Sequence, residues 1–226
     1  MTVSIVTPFH NAARYLVESI ESVRLQTRDD WELLLVDDAS TDGSPLIAEE
    51  LGARDARIRI VSLPGRLGPA AARNAGVAAA QDGWLTFHDA DDVMPPDRLA
   101  NQVGYLLHHP EADIVLGHEK LIIEEDVDPS WFRRSDAHGP TGPFHVMSLM
   151  TTTDAFRTVG PLAEALHVAE DLEWILRSRT HQMTIGYLDV VVVHRRIHAS
   201  NLSHDLQAIH HNLLAAVHAL TNQRND

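Results

Sequence analysis

The alternation of short apolar runs with stretches of helical spacing is the feature that most restricts how this chain can fold. Apolar, often β-branched runs recur at residues 3–7, 31–36, 58–63 and 84–88, and helical patterns follow each of them. This alternation is typical of α/β proteins, in which helices cover both faces of a mostly parallel sheet. We therefore predict an α/β fold with a mostly parallel sheet that is flanked by helices.

Acidic residues follow two of the predicted strands. Asp37 and Asp38 end the second apolar run, and His-Asp-Ala-Asp-Asp at residues 88–92 ends the fourth. Ligands of such sheets bind beyond the carboxyl ends of the strands, so both groups are expected at one edge. Neighbouring carboxylates repel each other unless a cation compensates, and oxygen ligands suit Mg²⁺ or Mn²⁺ better than zinc. The alternative for an isolated Asp-x-Asp is a solvated turn before the next helix.

The second half of the chain is less regular. Residues 113–123 and 183–194 predict strands, and residues 170–179 predict a helix. Residues 124–143 predict a long loop. Residues 205–220 predict an amphipathic terminal helix, which would pack on this domain or on a second subunit.

Composition excludes several classes of protein. The formal net charge of −14 disfavours general binding to nucleic acids or anionic membranes. The absence of cysteine excludes disulfides, thiol nucleophiles and Cys-ligated metals. No apolar run approaches the ~20 residues of a membrane helix, and the first residues lack the basic region of a signal peptide. We expect a cytoplasmic protein without integral membrane contact.

Six segments carry a resemblance to a known family. In chain order they are Thr-Val-Ser-Ile-Val-Thr-Pro-Phe-His-Asn (2–11), Glu-Leu-Leu-Leu-Val-Asp-Asp-Ala-Ser-Thr-Asp-Gly-Ser (32–44), Gly-Pro-Ala-Ala-Ala-Arg-Asn-Ala-Gly (68–76), Phe-His-Asp-Ala-Asp-Asp (87–92), Glu-Asp-Leu-Glu-Trp-Ile-Leu-Arg (170–177) and Arg-Ile-His-Ala-Ser-Asn-Leu-Ser (196–203). Together they resemble the family 2 glycosyltransferases, which have the GT-A nucleotide-sugar-binding fold. The resemblance implies an inverting, metal-dependent transfer of a sugar from a nucleotide-diphosphate sugar, expected to be a UDP-sugar, to an acceptor hydroxyl.

The same resemblance implies a division of the chain. Residues 1–204 would form the GT-A domain, with a nucleotide-sugar-binding half at 1–110 and an acceptor-binding half at 111–204. Residues 205–226 would form the terminal helix, through which a homodimer could assemble. The expected acceptor is soluble, either a small molecule, a glycan or a peptide.

Positions that match the family's motifs imply the donor contacts. Pro8, Phe9 and Asn11 would lie against the nucleotide base and ribose, and Asn11 also stands where the N-cap of the first helix is expected. Asp38 would accept a hydrogen bond from a uracil-type N–H group. Arg73 would lie near the nucleotide or its diphosphate, which a guanidinium can hold with two hydrogen bonds.

The resemblance also implies a metal site. Asp91 would bind Mn²⁺ or Mg²⁺ directly, and Asp89 would contact the ribose or a water molecule on the cation. His198 matches a position that touches the metal or the diphosphate in some relatives. From the sequence pattern, His194 and His198 are expected on a strand and its following loop.

Two acids at the start of the predicted 170–179 helix are the candidate catalytic residues. Asp171 would act as the general base toward the acceptor hydroxyl, and Glu170 would contact donor or acceptor hydroxyls. Acidic residues are also favoured in a first helical turn by the helix dipole. Glu173 and Arg177 are spaced for a surface ion pair. The alternative function is a catalytically inactive nucleotide-sugar-binding or scaffold protein of the same fold.

Overall fold

Seven strands form one sheet in the part of the chain that the computed structural model describes, residues 1–125, 127, 146–166, 169–199 and 201. In chain order they are β1 (Val3–Phe9), β2 (Trp31–Asp37), β3 (Ile58–Ser62), β4 (Trp84–Phe87), β5 (Ile114–Ile123), β6 (Leu149–Thr152) and β7 (Ile185–Ile197). Their order across the sheet is β3-β2-β1-β4-β6-β5-β7. Strand β6 is antiparallel to β4 and β5, and the other neighbouring pairs are parallel. The predicted mostly parallel sheet is therefore confirmed.

Helices cover both faces of this sheet, as predicted. They are α1 (Leu16–Arg24), α2 (Ser44–Arg54), α3 (Pro69–Ala79), α4 (Arg98–His108), α5 (Thr153–Val159) and α6 (Glu170–Thr180). Side chains of α1, α2 and α4 join one apolar cluster, and those of α3, α5 and α6 join a second cluster. Along β1, Ile5 faces the first cluster and Val6 the second, because side chains alternate along a strand. Burial on both faces explains why the central strands are mostly apolar.

Strands β5 and β7 carry the chain back to the edge where β4 ends. Beyond Leu116 the two strands pair with each other as a ribbon, with an irregular register near His118. An antiparallel bridge joins His194 of β7 to Val93, which follows β4. The end of β7 is thereby placed beside residues 89–92.

Three sequence predictions fall wholly or almost wholly outside the part of the chain that can be described. The loop predicted at 124–143 lies almost wholly outside the described residues, and the terminal helix predicted at 205–220 lies entirely outside them. The proposed boundary at residue 204 lies there too. Among the residues that are described, no helix combines the length and apolar character needed to cross a membrane.

The close approach of α3 to the sheet depends on Gly76. A Cβ atom at this position would lie 2.3 Å from Val6 Cγ1 and 3.1 Å from Val36 Cγ2. Overpacking of this kind typically costs about 1–3 kcal/mol, which exceeds the helix propensity of about 1 kcal/mol that alanine gains over glycine. We therefore expect Gly76→Ala to lower the free energy of unfolding, measured by urea denaturation.

Gly104, in the middle of α4, provides the matched control. A Cβ atom built at this position has no heavy atom of the described residues within 4 Å, apart from those of its two chain neighbours and of the nearby backbone of α4. Gly104→Ala should therefore raise the free energy of unfolding by up to about 1 kcal/mol. Effects of the same sign at the two glycines would contradict the packing argument.

Candidate functional site

The loops after β1 and β2 are tied together at the carboxyl edge of the sheet. The Asn11 side-chain oxygen accepts hydrogen bonds from the backbone N–H groups of Thr41 and Asp42, at 2.8 and 3.3 Å. Asn11 has a φ of 53°, and α1 begins five residues later with Tyr15 as its N-cap. The predicted N-cap role of Asn11 is thus wrong, because its amide connects two loops instead of starting a helix.

Pro8 and Phe9, which precede Asn11 at the end of β1, differ in burial. Pro8 is partly buried at the end of β1, where its surface borders the edge of the sheet. The Phe9 side chain is buried in the first apolar cluster, and its backbone oxygen accepts a hydrogen bond from the Asp38 N–H group. A contact between Phe9 and a nucleotide would therefore have to come from its backbone.

Asp38 holds the segment that leads into α3. Its Oδ1 accepts the Leu67 N–H group at 2.6 Å, and its Oδ2 accepts the Gly68 N–H group at 2.9 Å. Gly68 has a φ of 93°, a conformation that suits glycine. Each carboxylate oxygen has a second lone pair, so Asp38 can fix this loop and still accept a hydrogen bond from a ligand.

Three carboxylates follow β4 and form an acidic cluster, namely Asp89, Asp91 and Asp92. Ligand oxygens of the three lie within 4.8 Å of one another. Asp89 and Asp91 are partly exposed, whereas Asp92 is buried and its Oδ1 accepts the Arg196 N–H group at 2.8 Å. Burial raises the pKa of Asp92 well above its usual value, and the charges of Asp91 and Asp89 add to this effect. Such an oxygen-rich, mutually repelling set fits a hard divalent cation.

His198 and Asn201 approach the acidic cluster from the end of β7. His198 Nε2 lies 2.8 Å from Asp91 Oδ2, and Asn201 Nδ2 donates to the same oxygen at 3.2 Å. The Tyr15 ring stacks on the His198 ring with 4.6 Å between centroids. Strand β7 ends at Ile197, which confirms the expected strand and loop for His194 and His198.

Arg73 joins the acidic cluster to the start of α6. Its Nη2 donates to Asp89 Oδ1 at 2.8 Å, and its Nη1 donates to Glu170 Oε1 at 2.6 Å. Burial alone would lower the pKa of Arg73, but Asp89 and Glu170 raise it above its usual range. Burial raises the pKa of Glu170, an effect that Arg73 opposes and Asp171 reinforces. The guanidinium therefore remains charged between two acids.

The first turn of α6 presents Asp171 next to this ion pair. Asp171 is buried, and its Oδ1 accepts the Leu172 N–H group at 2.7 Å. Glu173 pairs with Arg177 at 2.7 Å, but both side chains are largely buried. The predicted surface location of this pair is wrong, because Arg177 also donates to the Val159 and Pro161 carbonyl oxygens and anchors α6 to the end of α5.

The structure therefore groups most of the candidate site residues. It brings together Arg73, Asp89, Asp91, Glu170, Asp171 and His198. Three further residues at the site had been given no individual role from the sequence, namely Asp92, Asn201 and Tyr15, although Asp92 belongs to the acidic group expected at this edge. Asp92 and Asn201 lie inside recognised segments, so their polar side chains were a usable signal. Tyr15 stands in a helical pattern that gives no sign of its contact with His198.

Comparison with known proteins gives a consistent result. Residues 4–159 match the sequence model described as "Glycosyl transferase family 2". The putative teichuronic acid biosynthesis glycosyltransferase TuaG of Bacillus subtilis is 37% identical over 119 residues, which are 53% of this chain and 47% of TuaG. The aligned parts cover 41–47% of the length of three such curated relatives, so this chain spans less than half of each.

Two solved structures share the fold. TarS 1–349 of S. aureus in complex with UDP-GlcNAc aligns with a TM-score of 0.73 and 19% identity, over 91% of this chain and 61% of that chain. The mannosyltransferase PcManGT from Pyrobaculum calidifontis, in complex with GDP-Man and Mn²⁺, aligns with a TM-score of 0.67 and 22% identity. That alignment covers 88% of this chain and 58% of PcManGT. At these identities the likeness shows the fold.

Proposed function

The chain belongs to glycosyl transferase family 2, and from this premise we propose that it transfers a sugar from a UDP-sugar to an acceptor hydroxyl with inversion at the anomeric carbon. One observation carries the proposal. The acidic cluster and the first turn of α6 are held together at one edge of the sheet through Arg73. This arrangement supplies acids for a donor and a separate acid for an acceptor.

The donor would lie across the ends of β1, β2 and β4. Pro8, the Phe9 backbone and Asn11 would border the nucleotide, and Asp38 would accept a hydrogen bond from a uracil N–H group. Asp89 would accept a hydrogen bond from the ribose. The complex of PcManGT contains GDP-Man and that of TarS contains UDP-GlcNAc, so both nucleotides belong in the test of the UDP assignment.

Asp91 and His198 would hold a divalent cation, either Mn²⁺ or Mg²⁺, and Asp89 would contact the ribose or a water molecule on that cation. When bound, this cation stabilises negative charge on the diphosphate as a Lewis acid. His198 and Asn201 already orient the Asp91 carboxylate, since both contact its Oδ2 atom. Asp92 fixes the end of β7 through the Arg196 N–H group and thereby keeps His198 next to the cluster.

Asp171 would take the proton from the acceptor hydroxyl. The acceptor oxygen forms a bond to the anomeric carbon while the bond from that carbon to the diphosphate oxygen breaks. The electron pair of the broken bond leaves with UDP, and the proton resides on Asp171. Attack opposite to the leaving group inverts the anomeric configuration. Glu170 would contact hydroxyl groups with the oxygen that Arg73 does not hold.

The wider assignments belong to the same proposal. Residues 1–110 would bind the donor and residues 111–204 the acceptor, which we take to be a soluble glycan, peptide or small molecule. We propose a cytoplasmic location, and a homodimer through residues 205–226.

Calorimetric titration tests the donor assignment directly. The purified protein is titrated with UDP, GDP, UDP-GlcNAc, UDP-glucose and GDP-mannose, first with Mn²⁺ and then with EDTA. We expect the UDP compounds to bind in Mn²⁺ and to lose measurable affinity in EDTA. Preference for the GDP compounds would overturn the UDP assignment. Failure of every nucleotide to bind would overturn the proposed function in favour of a scaffold of the same fold.

A further inference from the structure

The buried side chain of Arg73 connects the acidic cluster to the first turn of α6. The Arg73 side chain is 6% exposed and the Glu170 side chain 7% exposed, so their ion pair is shielded from solvent. Asp89, the other partner of Arg73, is 30% exposed and belongs to the acidic cluster. Met147 Sδ lies 3.6 Å from Nη2 of Arg73 and packs against the same guanidinium. One guanidinium thus contacts both Glu170 and Asp89.

The helix that carries Arg73 is firmly seated. Gly76, one turn further along α3, packs so tightly on Val6 and Val36 that even a methyl group would collide. Asn74, the residue after Arg73, exchanges two hydrogen bonds with the backbone of Leu162, at 2.9 and 3.0 Å. Leu162 lies between α5 and α6. Helix α3 is therefore fixed both to the sheet and to the segment that leads toward α6.

The geometry of the Arg73 contacts requires a guanidinium. The two acids belong to different elements, and each is held by a different terminal nitrogen of the fork. A lysine ammonium is a compact charge on a flexible stem and does not hold two carboxylates in fixed directions. Removal of the charge would leave Asp89, Glu170 and Asp171 close together with their repulsion uncompensated.

We propose that Arg73 is a positioning residue that sets the first turn of α6, and with it Asp171, relative to the acidic cluster. The proposal rests on the proposed function, because Asp171 is the base and the acidic cluster the donor site only in that context. Arg73 acts through Glu170 and Asp89, so its loss should slow turnover more than it weakens donor binding. A residue that simply gripped the diphosphate would show the opposite pattern.

The test uses Arg73→Lys, Glu170→Gln and the double variant. Donor affinity is measured by calorimetry with Mn²⁺ and the UDP-sugar that the wild-type protein binds. Turnover is measured as release of UDP from the same compound at saturating concentration, with water as the acceptor of the sugar. We expect each single variant to lower kcat at least tenfold and to change the donor Kd less than threefold. The double variant should be no slower than the slower single variant, because both substitutions break the same bridge.

Arg177→Lys is the control for a structural role. Arg177 anchors the same helix to the end of α5 through Glu173 and two carbonyl oxygens, and it lies outside the bridge. If seating of α6 alone mattered, this variant would lower kcat as much as Arg73→Lys does. We expect its kcat to stay within threefold of the wild-type value.

Two results would overturn the inference. The first is a tenfold or larger increase of the donor Kd in Arg73→Lys with kcat unchanged, which identifies a direct donor contact. The second is additive losses in the double variant. If Arg73→Lys does not fold, the nearly isosteric variant Glu170→Gln still tests the inference. An unchanged kcat in that variant would contradict a positioning role for the contact between Arg73 and Glu170. Absence of donor binding by the wild-type protein would instead contradict the proposed function.

Discussion

Replacement of Asp171 by asparagine is expected to lower kcat by about 10²- to 10⁴-fold, the usual contribution of a positioned general base. Asparagine keeps the size of the side chain and can still accept the Leu172 N–H group, so the first turn of α6 should be preserved. What it loses is the ability to take a proton from the acceptor hydroxyl. Donor affinity, measured by calorimetry with Mn²⁺, should stay within threefold of the wild-type value.

Glu173→Gln is the matched control for this prediction. Glu173 lies in the same turn of α6 and is equally buried, but its carboxylate pairs with Arg177. We expect kcat of this variant to fall less than fivefold. Wild-type turnover in Asp171→Asn would remove Asp171 from the mechanism. A large loss of donor affinity in that variant would mean that Asp171 contributes to the donor site.

The second large effect is expected at Asp91. Asp91→Asn should weaken Mn²⁺ binding about 100-fold or more, because even the outer partners of metal ligands typically account for about 10- to 100-fold in affinity. The amide lacks the negative charge that a hard divalent cation prefers. Binding is measured by titration of Mn²⁺, followed by electron paramagnetic resonance, in the absence and presence of UDP.

Asp97→Asn serves as the comparison for Asp91→Asn. Asp97 precedes α4, and its Oδ1 accepts a hydrogen bond from the exposed Thr27 hydroxyl. The Asp97→Asn variant should bind Mn²⁺ with the affinity of the wild-type protein. Equal Mn²⁺ affinity in the Asp91 and Asp97 variants would exclude Asp91 as a ligand. If EDTA lowers the donor affinity of both variants as much as it lowers that of the wild-type protein, the same conclusion follows.

Much of the sheet could be predicted because buried strands have a simple hydrophobic pattern in the sequence. Side chains of β1 and β2 are buried on both faces, so these strands are mostly apolar runs, interrupted only by a few buried polar residues such as Ser4 and Glu32. Strand β6 shows the limit of this signal. It has only four residues, Leu149–Thr152, and a run so short carries no information about strand direction. Its antiparallel pairing depends on the chain that returns to it.

The errors at individual residues have a common physical origin. Asparagine suits both a helix N-cap and a turn with positive φ, so the type of residue at position 11 did not distinguish the two. An i, i+4 ion pair has the same spacing on a surface as under a neighbouring segment, which is why Glu173 and Arg177 were misplaced. In each case the partner that decides the environment is remote in sequence.

Arg73 illustrates the same limit at the centre of the site. The resemblance predicts that the Arg73 guanidinium lies near a nucleotide. In the structure its partners are Asp89 and Glu170, which lie 16 and 97 residues further along the chain. A basic residue within an alanine-rich helix indicates that some anion is near. Only the folded arrangement shows that the protein itself supplies two of them.

The acidic cluster also affects which variants of this protein a selection for thermal stability would favour. Three carboxylates with oxygens within 4.8 Å of one another repel, and the fold without a cation must tolerate this repulsion. Neutral substitutions at these positions would relieve it, and a search for heat-resistant variants would therefore enrich them. Such a search would discard the side chains on which the chemistry depends. Engineering for stability is better directed at sites such as Gly104, where a gain has no counterpart in catalysis.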